Sequence, residues 1–231
     1  MSLPTSRISG LFVGKVETLW EGKPPSAINK QPATGPLHAE AHGFVEDRQA
    51  DLKVHGGAEK AIHHYAGDHM AFWQAEYPDH ARSFKPGCFG ENISTIGLTE
   101  ENLCLGDILL IGSLRAQVCQ GRQPCWKLNA HTGIDSMAHK FQVTGKTGWY
   151  YRVLEEGSAA VGDEIRVTER LYPDLPISVV TMARFNPRLD PATAESLSKL
   201  EALSKNWRSA FAKKADKHYR ENTDQRLKGG H

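Results

Sequence analysis

The sequence predicts a mainly β protein with added α-helices, in which a closed or nearly closed β-barrel is followed by a small three-helix bundle. Glycine and proline recur at short intervals up to about residue 165, and only short apolar runs lie between them. This spacing is typical of many short strands. After Pro173, helix-capping signals replace the strand pattern. A chain of 231 residues can hold one large domain with an appendage. We expect a barrel domain over residues 1–172 and a three-helix domain with a tail over 173–231.

Local patterns predict the barrel elements. Residues 8–20 are rich in β-branched and aromatic side chains and predict a strand region, whereas residues 21–36, with four prolines and two glycines, predict a loop. A Gly-Asp pair precedes an apolar run at both Gly106 and Gly162. Two hairpin corners of one barrel would show this pattern.

Helices are predicted at five places. Apolar residues at helical spacing predict helices over 58–73 and 132–141. In the C-terminal part, Ser178, Asp190 and Ser204 are each predicted to cap a helix, and the second of these is followed by proline at the first helical position. The residues after about 220 are expected to form a frayed tail.

Composition and charge exclude several classes of protein. Hydrophobic residues make up 39% and charged residues 24% of the chain, near the globular average. The net charge of +1 predicts no binding to nucleic acid or to a membrane surface, although residues 171–231 carry 11 basic and 7 acidic side chains. The first residues lack a signal-peptide pattern, and four cysteines do not make a disulfide scaffold. We expect a cytoplasmic protein with reduced thiols.

A first candidate cluster is His55-Gly56-Gly57 with Lys60. Two glycines let the backbone approach a ligand closely, and the predicted helix that follows offers unpaired N–H groups to an anion such as phosphate. The alternative is a tight turn with a capping histidine. A second cluster lies in residues 86–93, where glycines bracket a bend and an asparagine can fix the loop; a plain turn into a strand explains it equally well.

The third cluster contains the best single candidate for chemistry, Cys125. This residue follows Pro124 and lies between the cations Arg122 and Lys127. Neighbouring cations favour the thiolate, which is the form that binds soft metals or attacks electrophiles. The alternative is a buried structural cysteine, as expected for Cys104 and Cys119.

Other kinds of site are not indicated. His63 and His64 would point about 100° apart in the predicted helix, so they do not suggest one shared metal ion. The spacing of Cys119 and Cys125 is not that of a C-x-x-C redox pair, and the four cysteines are not grouped as zinc or iron–sulfur ligands. The chain carries no G-x-G-x-x-G or P-loop motif. It therefore shows no nicotinamide, flavin or nucleoside-triphosphate site.

Taken together, three segments resemble the signatures of the MOSC family, which is named for the C-terminal domain of molybdenum cofactor sulfurase. They are His55-Gly-Gly-Ala-Glu-Lys-Ala, Gly87-Cys-Phe-Gly-Glu-Asn-Ile and Arg122-Gln-Pro-Cys-Trp-Lys-Leu. Their order and spacing resemble the YiiM-like bacterial members in particular, and the capped helices after residue 177 resemble the three-helix extension of those proteins.

The resemblance implies a MOSC-type β-barrel that holds a molybdopterin-type molybdenum cofactor, with Cys125 as the catalytic residue and the protein's ligand to molybdenum. It also implies that small N-hydroxylated compounds, such as hydroxylaminopurine-like bases and amidoximes, are reduced to amines. The cofactor-binding residues expected on this basis are His55, Gly56, Gly57, Lys60, Asn92, Arg122 and Lys127. YiiM-like sequences usually have proline before the arginine of the third motif, whereas this chain has Gly121. We expect greater loop freedom there.

Electrons for such a reaction must come from outside the chain, so a separate reductase is the expected partner, and the positively charged C-terminal helices are a candidate docking face. Two other interpretations remain open. The chain could carry a persulfide or the cofactor in transit on Cys125 without turnover, or it could be a hydrolase that pairs Cys125 with His55 or a distant histidine.

Overall fold

The computed structural model of the chain describes residues 3–51 and 56–229. Eleven strands lie in these ranges: β1 (Thr5–Gly14), β2 (Lys30–Pro32), β3 (Leu37–Glu40), β4 (Gly43–Phe44), β5 (Ile62–Ala66), β6 (Ile93–Thr95), β7 (Ile108–Ile111), β8 (Leu114–Gly121), β9 (Trp149–Glu155), β10 (Gly157–Ala159) and β11 (Glu164–Glu169). The same ranges hold seven α-helices: α1 (Met70–Glu76), α2 (Trp126–Thr132), α3 (Met137–Thr144), α4 (Ile177–Phe185), α5 (Pro191–Ser198), α6 (Lys205–Lys214) and α7 (Asp224–Lys228).

Seven of the strands close into a barrel. They pair in the order β11-β7-β8-β9-β5-β6-β1, and β1 pairs back to β11. Every pair is antiparallel except β5 with β6, which run parallel. Closure leaves no unpaired edge in the ring. The prediction of a mainly β fold with a barrel and added helices is confirmed. Strands β10, β3 and β4 form a small separate sheet.

The helix predicted over residues 58–73 is wrong. A single 3₁₀ turn at Ala58–Lys60 is followed by the barrel strand β5, and α1 begins only at Met70. All five residues of β5 are buried. A strand covered on both faces lacks the polar alternation that distinguishes it from a helix in sequence. The predicted loop over 21–36 likewise contains the short strand β2.

The three predicted C-terminal helices are present as α4, α5 and α6. The Asp190 side chain accepts a hydrogen bond from Thr193 N at 2.9 Å, and Ser204 accepts one from Trp207 N at 3.2 Å. Both are N-caps of the predicted kind. The cap predicted at Ser178 is wrong, because α4 begins one residue earlier. Apolar residues of these helices belong to the same buried cluster as the barrel interior. The boundary at residue 172 stays a prediction.

Two further elements near the site differ from expectation. The helix predicted over 132–141 is present as α3 but begins five residues later, because Gly133 adopts a left-handed conformation (φ 71°) that ends the preceding helix α2, which was not predicted. Residues after 220 do not fray as a whole, since α7 packs its buried Leu227 into an aromatic cluster that includes Trp73, Phe89 and Phe141. The C-terminal segment is thus part of the folded body.

Candidate active site

A cleft of about 610 Å³, including its open mouth, lies at one end of the barrel and is here called the first cleft. Five residues singled out in the sequence line it together: Lys60, Asn92, Arg122, Cys125 and Lys127. They come from all three sequence motifs, which are distant in the chain and meet only through closure of the barrel. His55 lies outside the described residues.

Cys125 lies at the wall of the first cleft. It immediately precedes α2 with extended backbone (φ −140°, ψ 169°), and its side chain is half-buried. The other three cysteines lie outside the lining of this cleft. Burial raises the pKa of Cys119 to about 12 and also raises the pKa of Cys88 and of Cys104. These three therefore stay protonated at neutral pH, and Cys125 is the thiol that the cleft presents to a ligand.

Arg122 and Lys127 supply positive charge to the first cleft. Arg122 is buried and donates a hydrogen bond from Nη1 to the Phe89 carbonyl oxygen at 2.6 Å. Lys127 is also buried and donates from Nζ to the Pro25 carbonyl oxygen at 3.1 Å. Within the described ranges neither cation forms an ion pair with a carboxylate, although the buried Glu91 acts on Arg122 at longer range. Buried cations without a direct carboxylate partner favour an anionic ligand.

Asn92 organises one side of the cleft. Its Nδ2 donates to Asp47 Oδ2 at 2.9 Å and to the Phe12 carbonyl at 3.1 Å, while its Oδ1 accepts from His63 N at 3.1 Å. Asp47 also forms an ion pair with Lys30 at 2.5 Å. Burial lowers the pKa of Lys30 despite this carboxylate. The Asn92 amide is therefore committed to neighbouring protein groups and gives the cleft its shape.

His63 lines the first cleft, a position that the sequence reading did not assign to it. Its ring packs on Tyr150 with centroids 4.9 Å apart. Burial, together with the positive charge of Arg122, holds the pKa of His63 well below its ordinary value, so the imidazole is neutral. Its Nδ1 is buried and has no hydrogen-bond partner in the described part of the chain.

His64 faces the opposite side of β5, because adjacent residues of a strand alternate. It contacts Tyr151 Oη and Thr95 Oγ1, each at 2.9 Å, and burial lowers its pKa to about 3. The two histidines therefore do not share an ion, as expected, although the reason is strand geometry and not helix geometry. Because β5 is buried on both faces and shows no polar alternation, the sequence offers no local signal that would have placed His63 in the cleft.

Gly56 and Gly57 are held by Gln49, which itself lines the first cleft. The N–H of Gly57 (φ 90°) donates to Gln49 Oε1 at 2.9 Å. A Cβ on Gly56 would come within 2.2 Å of the same oxygen. The two glycines thus permit a close approach of backbone to the Gln49 amide. The helix N-terminus expected after them is absent, since only one 3₁₀ turn follows.

Gly121 is not part of a freer loop, so that expectation is wrong. It is the last residue of β8 and pairs with Trp149 of β9. A Cβ on Gly121 would come within 2.1 Å of Thr181 Oγ1 in α4 and 3.1 Å of the Trp207 ring in α6. The absence of a side chain at this position therefore lets the C-terminal helices pack directly against the strand that leads to Cys125.

The side chains of the first cleft suit a metal ion whose other ligands come from an organic cofactor. No group of three or more His, Cys, Asp or Glu side chains within residues 3–51 and 56–229 is arranged to hold a metal ion by itself. A metal bound to Cys125 would take its remaining ligands from an organic cofactor. Buried cations and the unpartnered Nδ1 of His63 suit an anionic molecule rich in hydrogen-bonding groups. The residues present thus fit a molybdopterin-type cofactor.

Comparison with known proteins agrees with the site. Residues 51–166 match the family model described as the MOSC domain. The chain is 37% identical to Protein YiiM of Escherichia coli over 204 residues, which cover 88% of this chain and 90% of that protein. It is also 39% identical over 153 residues to a protein of Gibberella moniliformis named Reductase, covering 66% of this chain and 27% of that protein.

The solved structures agree in fold. The crystal structure of YiiM from Escherichia coli superposes with a TM-score of 0.80 at 29% identity, and the alignment covers 98% of each chain.

Among the described residues, the helices are too short or too polar to cross a membrane.

Proposed function

This chain belongs to the MOSC domain family, and we propose that it is a molybdenum-cofactor-dependent reductase that converts N-hydroxylated compounds to amines. The observation that carries the proposal is the position of Cys125 in a cleft with two buried cations that lack carboxylate partners. MOSC domains are associated in general with the molybdenum cofactor, and one relative is named Reductase. Hydroxylaminopurine-like bases and amidoximes are the proposed substrates.

Each part of the cleft has a role in this proposal. Cys125 would hold the metal through its sulfur, and Arg122 and Lys127 would bind the phosphate and pterin oxygens. The neutral His63 would offer its unpartnered Nδ1 to the pterin. When bound, the cofactor supplies the two electrons that cleave the N–O bond. The overall change, R–NH–OH + 2e⁻ + 2H⁺ → R–NH₂ + H₂O, balances in atoms and charge.

The two protons must reach the substrate from the protein or from water. Lys60 lies beside Cys125 in the lining of the first cleft, and burial lowers its pKa. A lowered pKa makes an ammonium group a better proton donor near neutral pH. Burial instead raises the pKa of Tyr150, so this hydroxyl stays protonated and orients the N–OH oxygen by donating a hydrogen bond. We assign proton delivery to Lys60 and orientation to Tyr150.

A separate reductase would supply the electrons, and we place its docking face on the C-terminal end of α6 and the turn that follows it. Lys213 and Lys217 are exposed there, whereas Lys214 is mostly buried beside Glu221 at 3.7 Å and is unsuited to a partner. Reversal of charge at Lys213 and Lys217 should slow reduction with the physiological donor and leave the rate with a chemical donor unchanged. Unchanged rates with both donors would remove this placement. We place the reaction in the cytoplasm, where thiols stay reduced.

The test of the proposed function is reduction of benzamidoxime by protein loaded with molybdenum cofactor, using a chemical electron donor. The proposal expects benzamidine to form in repeated turnovers, with no benzamidine from cofactor-free protein. Stoichiometric cofactor without turnover would instead support the carrier interpretation, in which Cys125 holds the cofactor or a persulfide in transit.

A further inference from the structure

Cys125 also borders a second cleft. Lys60, Cys125 and Tyr150 line both clefts. The second cleft is open and its volume is about 1030 Å³. Its remaining wall comes from α2 and from the C-terminal segment, which are separated by about 80 residues in the chain. The two clefts therefore meet at Lys60, Cys125 and Tyr150 and differ in the rest of their walls.

The wall of the second cleft differs chemically from that of the first. It contains the indole of Trp126 and the side chains of Asn206, Gln225 and Arg226. Asn206 and Gln225 are exposed, and the described part of the chain forms no hydrogen bond with either amide. An unengaged amide carries one donor and one acceptor group side by side. Together with an aromatic face, such amides suit a flat ring bearing nitrogen and oxygen groups at its edge.

Charge in the second cleft has one sign. Lys60 and Arg226 are cationic, and among the described residues no carboxylate belongs to the lining, although Glu221, outside it, acts on the charge of Arg226. Arg226 is already committed to protein acceptors, since it donates to the Pro124 carbonyl at 2.5 Å and to Gln142 Oε1 at 2.6 Å. Its charge therefore acts on a ligand through space, while Asn206 and Gln225 supply the direct hydrogen bonds.

We propose that the second cleft is the substrate-binding cleft, which takes a planar aromatic N-hydroxylated compound and prefers one carrying a negative charge to one carrying a positive charge. This inference rests on the proposed function and deepens it. The ring lies along Trp126 with its edge at Asn206 and Gln225, and the N–OH group points toward Cys125. The cofactor occupies the first cleft, so substrate and cofactor do not compete for the same space.

The test compares two para-substituted substrates of opposite charge, 4-carboxybenzamidoxime and 4-(trimethylammonio)benzamidoxime, with the loaded enzyme and a chemical donor; because their substituents differ in shape, the change of the ratio between variants is the readout. The wild-type chain should show the higher kcat/KM with the carboxylate. Gln225→Glu should lower the ratio of the two kcat/KM values and Gln225→Lys should raise it, each by about two- to fivefold. Gln74→Glu introduces the same charge at an exposed position of α1, a helix that contributes no residue to the described lining of either cleft, and should leave the ratio unchanged.

A second measurement separates this inference from the proposed function. In cofactor-free protein, 4-carboxybenzamidoxime should slow the alkylation of Cys125 by iodoacetamide, and Gln225→Glu should weaken this protection. Protection without reduction by the loaded enzyme would contradict the reductase proposal and retain the cleft assignment. Reduction with a charge ratio that neither Gln225 variant moves would overturn the cleft assignment and retain the reductase. Absence of protection would also overturn the assignment.

Discussion

The guanidinium of Arg226 donates a hydrogen bond to the carbonyl oxygen of Pro124 at 2.5 Å, so the C-terminal helix α7 holds the residue immediately before Cys125. The same guanidinium reaches Gln142 Oε1 at 2.6 Å. With its amide oxygen turned toward the arginines, Gln123 accepts from Arg226 Nε at 2.9 Å. Two of these contacts fix the loop that carries the thiol, although about 100 residues separate the two ends of this connection in sequence, and the third joins α7 to α3.

Loss of the Arg226 hydrogen bonds should loosen the loop that carries Cys125. Arg226→Ala leaves the partly buried Pro124 carbonyl and the Gln142 amide without their donor, which should cost about 1–3 kcal/mol in the free energy of unfolding. Urea unfolding measures this, and the rate of Cys125 alkylation should change as well. Arg220→Ala is the matched control, because Arg220 donates only to the neighbouring carbonyls of Lys217 and Tyr219. Equal stability and equal alkylation rates in the two variants would show that Arg226 does not hold the Cys125 loop.

Close packing at Gly121 makes a side chain there costly. Gly121→Ala places a methyl group within 2.1 Å of Thr181 Oγ1, so β8 and α4 must separate. We expect a loss of about 1–3 kcal/mol in the free energy of unfolding, measured with urea. Gly35→Ala is the control, since a Cβ at Gly35 meets no atom within 4 Å. A Gly121 variant as stable as its control would contradict the packing described.

Two buried histidines should make the protein sensitive to acid. Burial lowers the pKa of His64 to about 3 and holds the pKa of His63 well below its ordinary value. Between the ordinary histidine pKa near 6.5 and the folded values, the unfolded chain binds these protons and the folded chain does not. Stability should therefore fall as pH falls through this range, with a contribution of about 1.4 kcal/mol per pH unit from each histidine.

The comparison variant for the acid effect is His64→Gln, which cannot titrate. Its free energy of unfolding, measured between pH 7 and pH 4, should fall by about 1.4 kcal/mol less per pH unit than that of the wild-type chain, because one proton fewer is taken up on unfolding. A variant whose slope equals that of the wild-type chain would mean that His64 gains its proton in the folded state as easily as in the unfolded state.

The four thiols should differ in reactivity. Because burial raises the pKa of Cys88, Cys104 and Cys119, these thiols carry little thiolate at pH 8. Native cofactor-free protein treated with iodoacetamide should therefore be modified first at Cys125, which lies at both clefts. Mass spectrometry of peptides gives the order. Modification of Cys119 before Cys125 would contradict the burial described.

Much of the site could be predicted because its chemistry is concentrated in short segments. Lys60, Arg122 and Cys125 stand beside a charge, a glycine and a proline, and Lys127 follows Cys125 by two residues, so the third motif concentrates unusual residue types. Lys30 and Asp47 could not be found in this way. Lys30 has no charged neighbour, Asp47 lies in a short charged run that is ordinary for a loop, and only the folded barrel brings Asp47 to both Lys30 and Asn92.

The fold was predictable where a local signal decides the structure. Asp190 and Ser204 cap helices by contacts with residues three positions along the chain, so the sequence alone carries the information. Strand β5 was missed because β6 and β9, which pair with its two edges, are distant in sequence, and because both of its faces are buried. Helix α7 was missed for a similar reason, since its order depends on Arg226 and Leu227 packing against remote segments.

The central claim, that the Cys125 sulfur holds molybdenum in the first cleft, is tested most directly by metal and pterin analysis of freshly purified wild-type chain, Cys125→Ser and Cys88→Ser. The account predicts about one molybdenum per chain in the wild-type and Cys88→Ser proteins, and loss of molybdenum in Cys125→Ser with the fold intact by circular dichroism. Full molybdenum in a folded Cys125→Ser protein would contradict it.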